Sequence, residues 1–202
     1  MKGLLIKDWK TLVKQMRVML AIVVVFACGP GTYMGALALF YAAMLPITAL
    51  AYDEQAKWDE LAAMMPYTAK AIVGSKYVLG LTLVLPVLAL SILSRLIVHS
   101  TPILSKDSVA LLITACLYLI LMAIDLPFMF HFGVEKGRLI YIVLTCVFVI
   151  TGVAYADKLA DMVNGIETAM VTTVPLLLLA AAMIALFLSY LISVRVYRAR
   201  RG

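Results

Sequence analysis

From Val18 to Tyr52 the chain carries no charged side chain, and that run sets the first limit on its fold. A water-soluble domain keeps a polar shell and cannot hide so long an apolar stretch. Further uncharged runs fill 77–94, 108–124, 139–156 and 168–194. With 65% hydrophobic and 14% charged residues, the chain reads as one whose solvent is lipid. The runs are continuous rather than alternating, so helices are the expected spanning form, each pairing its own backbone groups inside the bilayer.

The expected fold is an all-α polytopic bundle in a single domain over 1–202, with spans at about 14–28, 32–52, 77–98, 108–131, 139–156 and 169–194. The sequence Gly29-Pro30-Gly31 breaks the first long run into a hairpin. Its first arm is short and needs Lys14 and Arg17 to snorkel, or the bilayer to thin. Residues 1–17 predict an interfacial helix with Leu5, Trp9, Leu12, Val13 and Met16 on one face and lysines opposite. The net charge of +6 flanks the apolar runs instead of forming a basic domain, which points to lipid headgroups as partners and away from nucleic acid. Fourteen Lys and Arg fall in the N-terminal segment, the 53–76 and 132–138 loops and the C-terminal tail. Only Arg95, Lys106 and Lys158 fall on the other side. That bias predicts both termini in the cytoplasm. No cleavable signal sequence is evident.

Soluble-enzyme chemistry finds little support. The two histidines, His99 and His131, are predicted at opposite membrane faces and cannot share a metal or a proton. Cys28, Cys116 and Cys146 lie in apolar runs without metal-type spacing. Gly74-Ser75-Lys76 echoes a phosphate loop, but Ala69 stands where its first glycine belongs and Tyr77 where Ser or Thr belongs. No metal or cofactor site is expected on this chain.

The segment 53–76 is the main polar interruption. Glu54 to Met65 predicts a short amphipathic helix ended by Pro66, with Trp58, Leu61, Ala62 and Met65 on one face and Asp53, Glu54, Lys57 and Glu60 around the rest. Periodicity alone leaves two roles open: rest at the membrane interface, or insertion into a groove of a soluble partner. The pattern Asp53, Lys57-Trp58, Met65-Pro66, Lys70-x-Ile72-Val73-x-Ser75-Lys76-Tyr77 resembles the short six-helix membrane subunits of type-two ABC exporters. Gram-positive permeases typified by phenol-soluble-modulin exporters are the nearest kind. Leu126-Pro127-Phe128, Phe132-Gly133, Glu135-Lys136-x-Arg138 and the opening Leu4-Leu5-Ile6-Lys7-Asp8 resemble that family as well.

The resemblance implies a bacterial plasma-membrane permease without a motor. It would pair with a second copy or a related permease and couple to a separate cytoplasmic ABC ATPase that holds the ATP and Mg. It implies that Asp53, Glu54, Lys57, Trp58, Glu60, Leu61 and Met65 contact that ATPase, with Trp58, Leu61 and Met65 seated in its groove. Two charges lie within spans, where they are costly and often functional. Asp125 either lines a translocation pathway or pairs with Lys136, Arg138 or a neighbouring helix. Arg95 is expected to reach headgroups at the outer mouth, near the acidic loop of Asp157 and Asp161. An amphipathic or hydrophobic cargo, small peptides among them, fits this reading. A non-transporting anchor or immunity protein and an ion-coupled carrier using Asp125 are the alternatives.

Overall fold

A computed structural model describes residues 2–29, 31–65, 67–98, 106–154 and 168–201. All regular structure among them is helical: α1 (Lys2–Gln15), α2 (Arg17–Cys28), α3 (Thr32–Gln55), α4 (Trp58–Ala63), α5 (Ala69–Val98), α6 (Lys106–Phe132), α7 (Val134–Ala154) and α8 (Thr168–Arg201). Helices α3, α5 and α6 make the middle of the bundle. Helix α2 packs on α3 and α5, α7 on α6 and α3, and α8 along α6 and α5. Their shared core includes Leu39, Ile47, Leu79, Leu119, Met122 and Leu126.

Thr32–Gln55, Ala69–Ile97, Asp107–Phe132 and Thr173–Ala199 are long and apolar enough to cross a membrane. The expected spans 14–28 and 139–156 are not among these four. Helix α7 opens on Glu135, Lys136 and Arg138, and the expected end of its span at 156 lies outside the described residues. Helix α2 has 12 residues, about 18 Å of rise, against roughly 30 Å of hydrocarbon. It meets α1 at an 84° bend, where charged sequence gives way to uncharged. Met16 sits buried at that corner. The backbone stays bonded around it, Met16 N donating to the Leu12 carbonyl and Leu20 N to the Met16 carbonyl.

Small residues set how closely the helices approach. A Cβ on Gly80 would lie 2.2 Å from Met122 Cε, and one on Gly137 would lie 2.5 Å from Met129 Cγ and 3.2 Å from its Cα. The second contact faces backbone, so it cannot be relieved by a rotamer change alone. Gly133 ends α6 at φ +85°, a conformation open to glycine, and turns the chain into α7.

The polar segment departs from expectation. One helix over Glu54–Met65 was expected, but α3 runs on to Gln55, and a turn at Ala56 and Lys57 precedes a six-residue α4. Lys57 is left-handed at φ 49° and ψ 39°, which costs a non-glycine residue about 1–2 kcal/mol. Asp53 therefore belongs to the end of α3. Helix α5 begins at Ala69, well before the expected 77, because Thr68 Oγ1 accepts the Ala71 N–H at 3.3 Å and caps the first turn.

Replacing Gly137 by valine is expected to destabilise the hairpin of α6 and α7 by about 1–3 kcal/mol. Thermal unfolding in detergent reads this as a lower midpoint, while Ala180→Val on the exposed face of α8 leaves the midpoint unchanged.

Candidate functional site

The middle of α1, the last turn of α3 and the early turns of α5 meet at one end of the bundle, and each brings a charge. Lys76 Nζ donates to Asp8 Oδ1 at 2.8 Å and to Asp53 Oδ2 at 2.5 Å. Lys7 Nζ donates to Asp53 Oδ1 at 2.7 Å and lies 3.2 Å from Asp8 Oδ1. Lys76 and Asp8 are each only 2% exposed, Asp53 13% and Lys7 24%. Two lysines and two aspartates leave the cluster neutral. A buried ion pair need not exceed a hydrophobic pair in stability, but removing one partner strands the other charge. The cluster is therefore a positional device that holds three helices in one arrangement.

Trp58 joins this cluster. Lys7 Nζ lies 4.0 Å from the centre of its ring, a cation–π contact. The indole is half-buried and packs against the core, and Ala62 on the same helix is fully buried. Leu61, Met64 and Met65 are the apolar residues of this segment that stand exposed, Met64 at 85%. Glu54 and Lys57 are exposed too. The side chain of Glu60 lies outside the described residues.

A narrow cleft beside the cluster is lined by Asp53, Glu54, Trp58, Lys76, Gly133 and Tyr197 among others. It thus gathers the ends of α3, α6 and α8, the start of α5 and the start of α4 at one end of the bundle. The next residue after Lys76 anchors a different set of helices. Tyr77 Oη lies 2.5 Å from Ser189 Oγ and 2.8 Å from Ser193 Oγ. Ser189 donates to the Ala123 carbonyl, so it accepts from Tyr77, and Ser193 then donates to the tyrosine oxygen. Successive residues of α5 thereby tie α1 and α3 on one side to α6 and α8 on the other.

At the opposite end, Arg95 is 4% exposed and does not extend to headgroups, a correction to the expected placement. Its Nη2 donates to the Gly31 carbonyl at 2.6 Å and its Nη1 to Thr32 Oγ1 at 3.3 Å. The cause is the short hairpin, whose turn brings the Gly31 carbonyl and the Thr32 hydroxyl within reach of the guanidinium. Ser94 Oγ donates to the Ala27 carbonyl, and Thr32 Oγ1 to Asp107 Oδ1. Asp157 and Asp161 lie outside the described residues.

Asp125 is fully buried, and neither of its carboxylate oxygens has a hydrogen-bond partner among the described residues. The sequence offered Lys136 and Arg138 as partners, but both are exposed and neither pairs with it. Asp8 and Tyr77 were read in the sequence only as parts of a motif. The one local signal for Asp8 is that it is the sole acidic residue before Asp53.

Asp8→Ala is expected to lower folding stability by about 3–5 kcal/mol, since it removes a buried partner of Lys76. Detergent-resistant thermal unfolding would register the loss, with Lys14→Ala on the exposed side of α1 as the neutral control.

No curated protein and no solved structure matches the chain. The family model described as ABC-2 family transporter protein matches residues 3–198, which takes in both the charge cluster and α4. The chain therefore belongs to the ABC-2 transporter family, whose members are membrane subunits of ABC transporters.

Proposed function

We propose that this permease drives export of an amphipathic or hydrophobic cargo, small peptides among them, by alternating access powered by a separate cytoplasmic ATPase. In this reading the chain crosses the bacterial plasma membrane six times, α2 by way of a snorkelling Arg17 and a locally thinned bilayer. Both termini are cytoplasmic, as the Lys and Arg bias requires. Two permeases, identical or related, face each other, and ATP and Mg stay on the ATPase.

The observation that carries the proposal is the relation between α4 and the buried charge cluster. A helix that transmits force needs an exposed surface for the motor and a rigid root in the bundle. Leu61, Met64 and Met65 offer the exposed apolar surface, of the kind that fills a partner's groove. Trp58 supplies the root through Lys7 and, beyond it, Asp53 and Lys76. Exposed Glu54 and Lys57 then set register on the ATPase, with Glu60 beside them on α4. Displacement of α4 reaches α1, α3 and α5 through the ionic contacts, and α6 and α8 through Tyr77.

The double variant Leu61→Glu/Met64→Glu is expected to insert and unfold like wild type yet to lose at least about tenfold in ATPase association, because two charges would be forced into an apolar groove. Co-purification of the ATPase with the tagged permease, and ATP hydrolysis by the purified complex, are the readouts. Full retention of both would remove α4 as the coupling element.

A further inference from the structure

The hairpin of α6 and α7 turns at Gly133, and its two arms face each other in register. Met129, four residues before the turn, meets Gly137, four residues after it. Asp125 and Tyr141 stand eight residues before and after, at the same depth, about 12 Å of helix rise from the turn. Thr145 follows Tyr141 by one helical turn on the same face. That register sets Tyr141 opposite Asp125, with Thr145 within hydrogen-bonding reach of its hydroxyl. Phe40 of α3 closes the third side, stacked on Tyr141 with centroids 6.1 Å apart and tilted against Tyr118 at 6.0 Å.

Asp125 is 0% exposed, Tyr141 2% and Thr145 7%. Neither Asp125 Oδ1 nor Oδ2 has a hydrogen-bond partner among the described residues, and the hydroxyls of Tyr141 and Thr145 have none beyond each other. A buried carboxylate with no donor, faced across the hairpin by two hydroxyls, is costly in any protein interior, and more so at membrane depth. The charge cluster around Lys76 shows that this chain pairs buried carboxylates with cations where it needs to. Here it supplies acceptors and hydroxyls but no cation.

We propose that Asp125, Tyr141 and Thr145 form a binding site for one positive charge, a proton or an alkali cation, between α6 and α7. The donor set is all oxygen, which suits a hard ion and not a thiophilic metal. One carboxylate balances one positive charge, whereas a divalent ion would bring a second, uncompensated charge into the bundle. Nearby groups do not substitute for it. On α5, Lys76 is engaged by Asp8 and Asp53, and Tyr77 by Ser189 and Ser193. On α7, Lys136 and Arg138 are exposed near the hairpin turn. On α8, Tyr190 is directed to the Lys70 carbonyl, Tyr197 meets Phe130 edge to face, and Arg195 is exposed. On α3, Tyr41 is stacked against Phe26, Glu54 is exposed beside Gly133 at the hairpin turn, and Asp53 is held in the charge cluster. On α6 itself, Tyr118 faces Phe40, His131 is exposed at the hairpin turn, and Cys116 lies more than two turns away. Occupancy would join α6 to α7 and favour the closed hairpin. The proposal is independent of the exporter reading.

The purified full chain in detergent tests it through the unfolding midpoint. One arm titrates NaCl and KCl against choline chloride at constant ionic strength and pH. The other varies pH without alkali ions. Wild type is expected to respond in one arm: a midpoint that rises with the alkali ion, or one that falls as pH rises because the folded state loses its bound proton. Asp125→Asn is expected to abolish that response, and Thr145→Val to shift its half-point about tenfold, as the loss of a hydroxyl ligand does. Tyr141→Phe, which keeps the ring, serves if the Asn variant fails to fold, and it too is expected to shift the half-point. A wild type that answers neither arm would overturn the proposal, as would an Asp125→Asn or Tyr141→Phe variant with the wild-type response. Asp125 would then be a buried acid with a packing role only.

Discussion

Lys76 carries its ammonium into the interior of the bundle because Asp8 and Asp53 meet it there, and Lys7 balances the second carboxylate. A lone ammonium at 2% exposure would be expelled or neutralised. The position of α1 against α5, and the extra turn of α3 that delivers Asp53, follow from satisfying that charge. Once α3 is held to Gln55, the chain must reverse at once, and the left-handed Lys57 and the short α4 result. The geometry of the protruding segment is thus set by an interaction several residues away from it.

The opposite end of the bundle is fixed by the same logic with different chemistry. Arg95 finds carbonyl and hydroxyl acceptors at the tip of the α2–α3 hairpin instead of lipid phosphate. A short hairpin with its tip pinned and its base bent by 84° is a strut, since neither end is free to slide. Between the two ends, packing is apolar and close, with Gly80 and Gly137 admitting neighbouring methionines. Tyr77 and its two serines then connect α5 to α8 where an apolar contact would permit rotation. In the proposed coupling, motion imposed at α4 would pass along α5 into the core of the bundle.

Much of the helical architecture was legible in the uncharged runs, because lipid exposure leaves so few other solutions. The ends of the helices were not, since α5 and α8 continue beyond the apolar window into polar sequence that is capped or basic. The single helix expected over Glu54–Met65 failed because periodicity carries no information about the pull of Lys76 on Asp53, a contact 23 residues apart. Asp8 and Lys76 are 68 residues apart, and only the scarcity of acids in the N-terminal half of the chain hinted at the pair. Asp125 was found by the cost of a charge within a span. Its companions Tyr141 and Thr145 needed the register of the hairpin, which the symmetric spacing about Gly133 contained but which no composition argument extracts. The placement of Trp58 also depended on tertiary contact: periodicity grouped it with Leu61 and Met65 on one apolar face, whereas Lys7 lies over its ring and the indole packs against the core.

The central claim is that Asp8 and Lys76 act as one unit that fixes α1 to α5. A double-mutant cycle on the unfolding free energy, using Asp8→Asn, Lys76→Met and the combination, measures this directly. The account requires the combined variant to be less destabilised than the two single changes together, with a coupling energy of about 1–3 kcal/mol. Strict additivity, within about 0.5 kcal/mol, would mean that the two side chains contribute separately, and the linkage of α1 to the rest of the bundle would have to lie elsewhere.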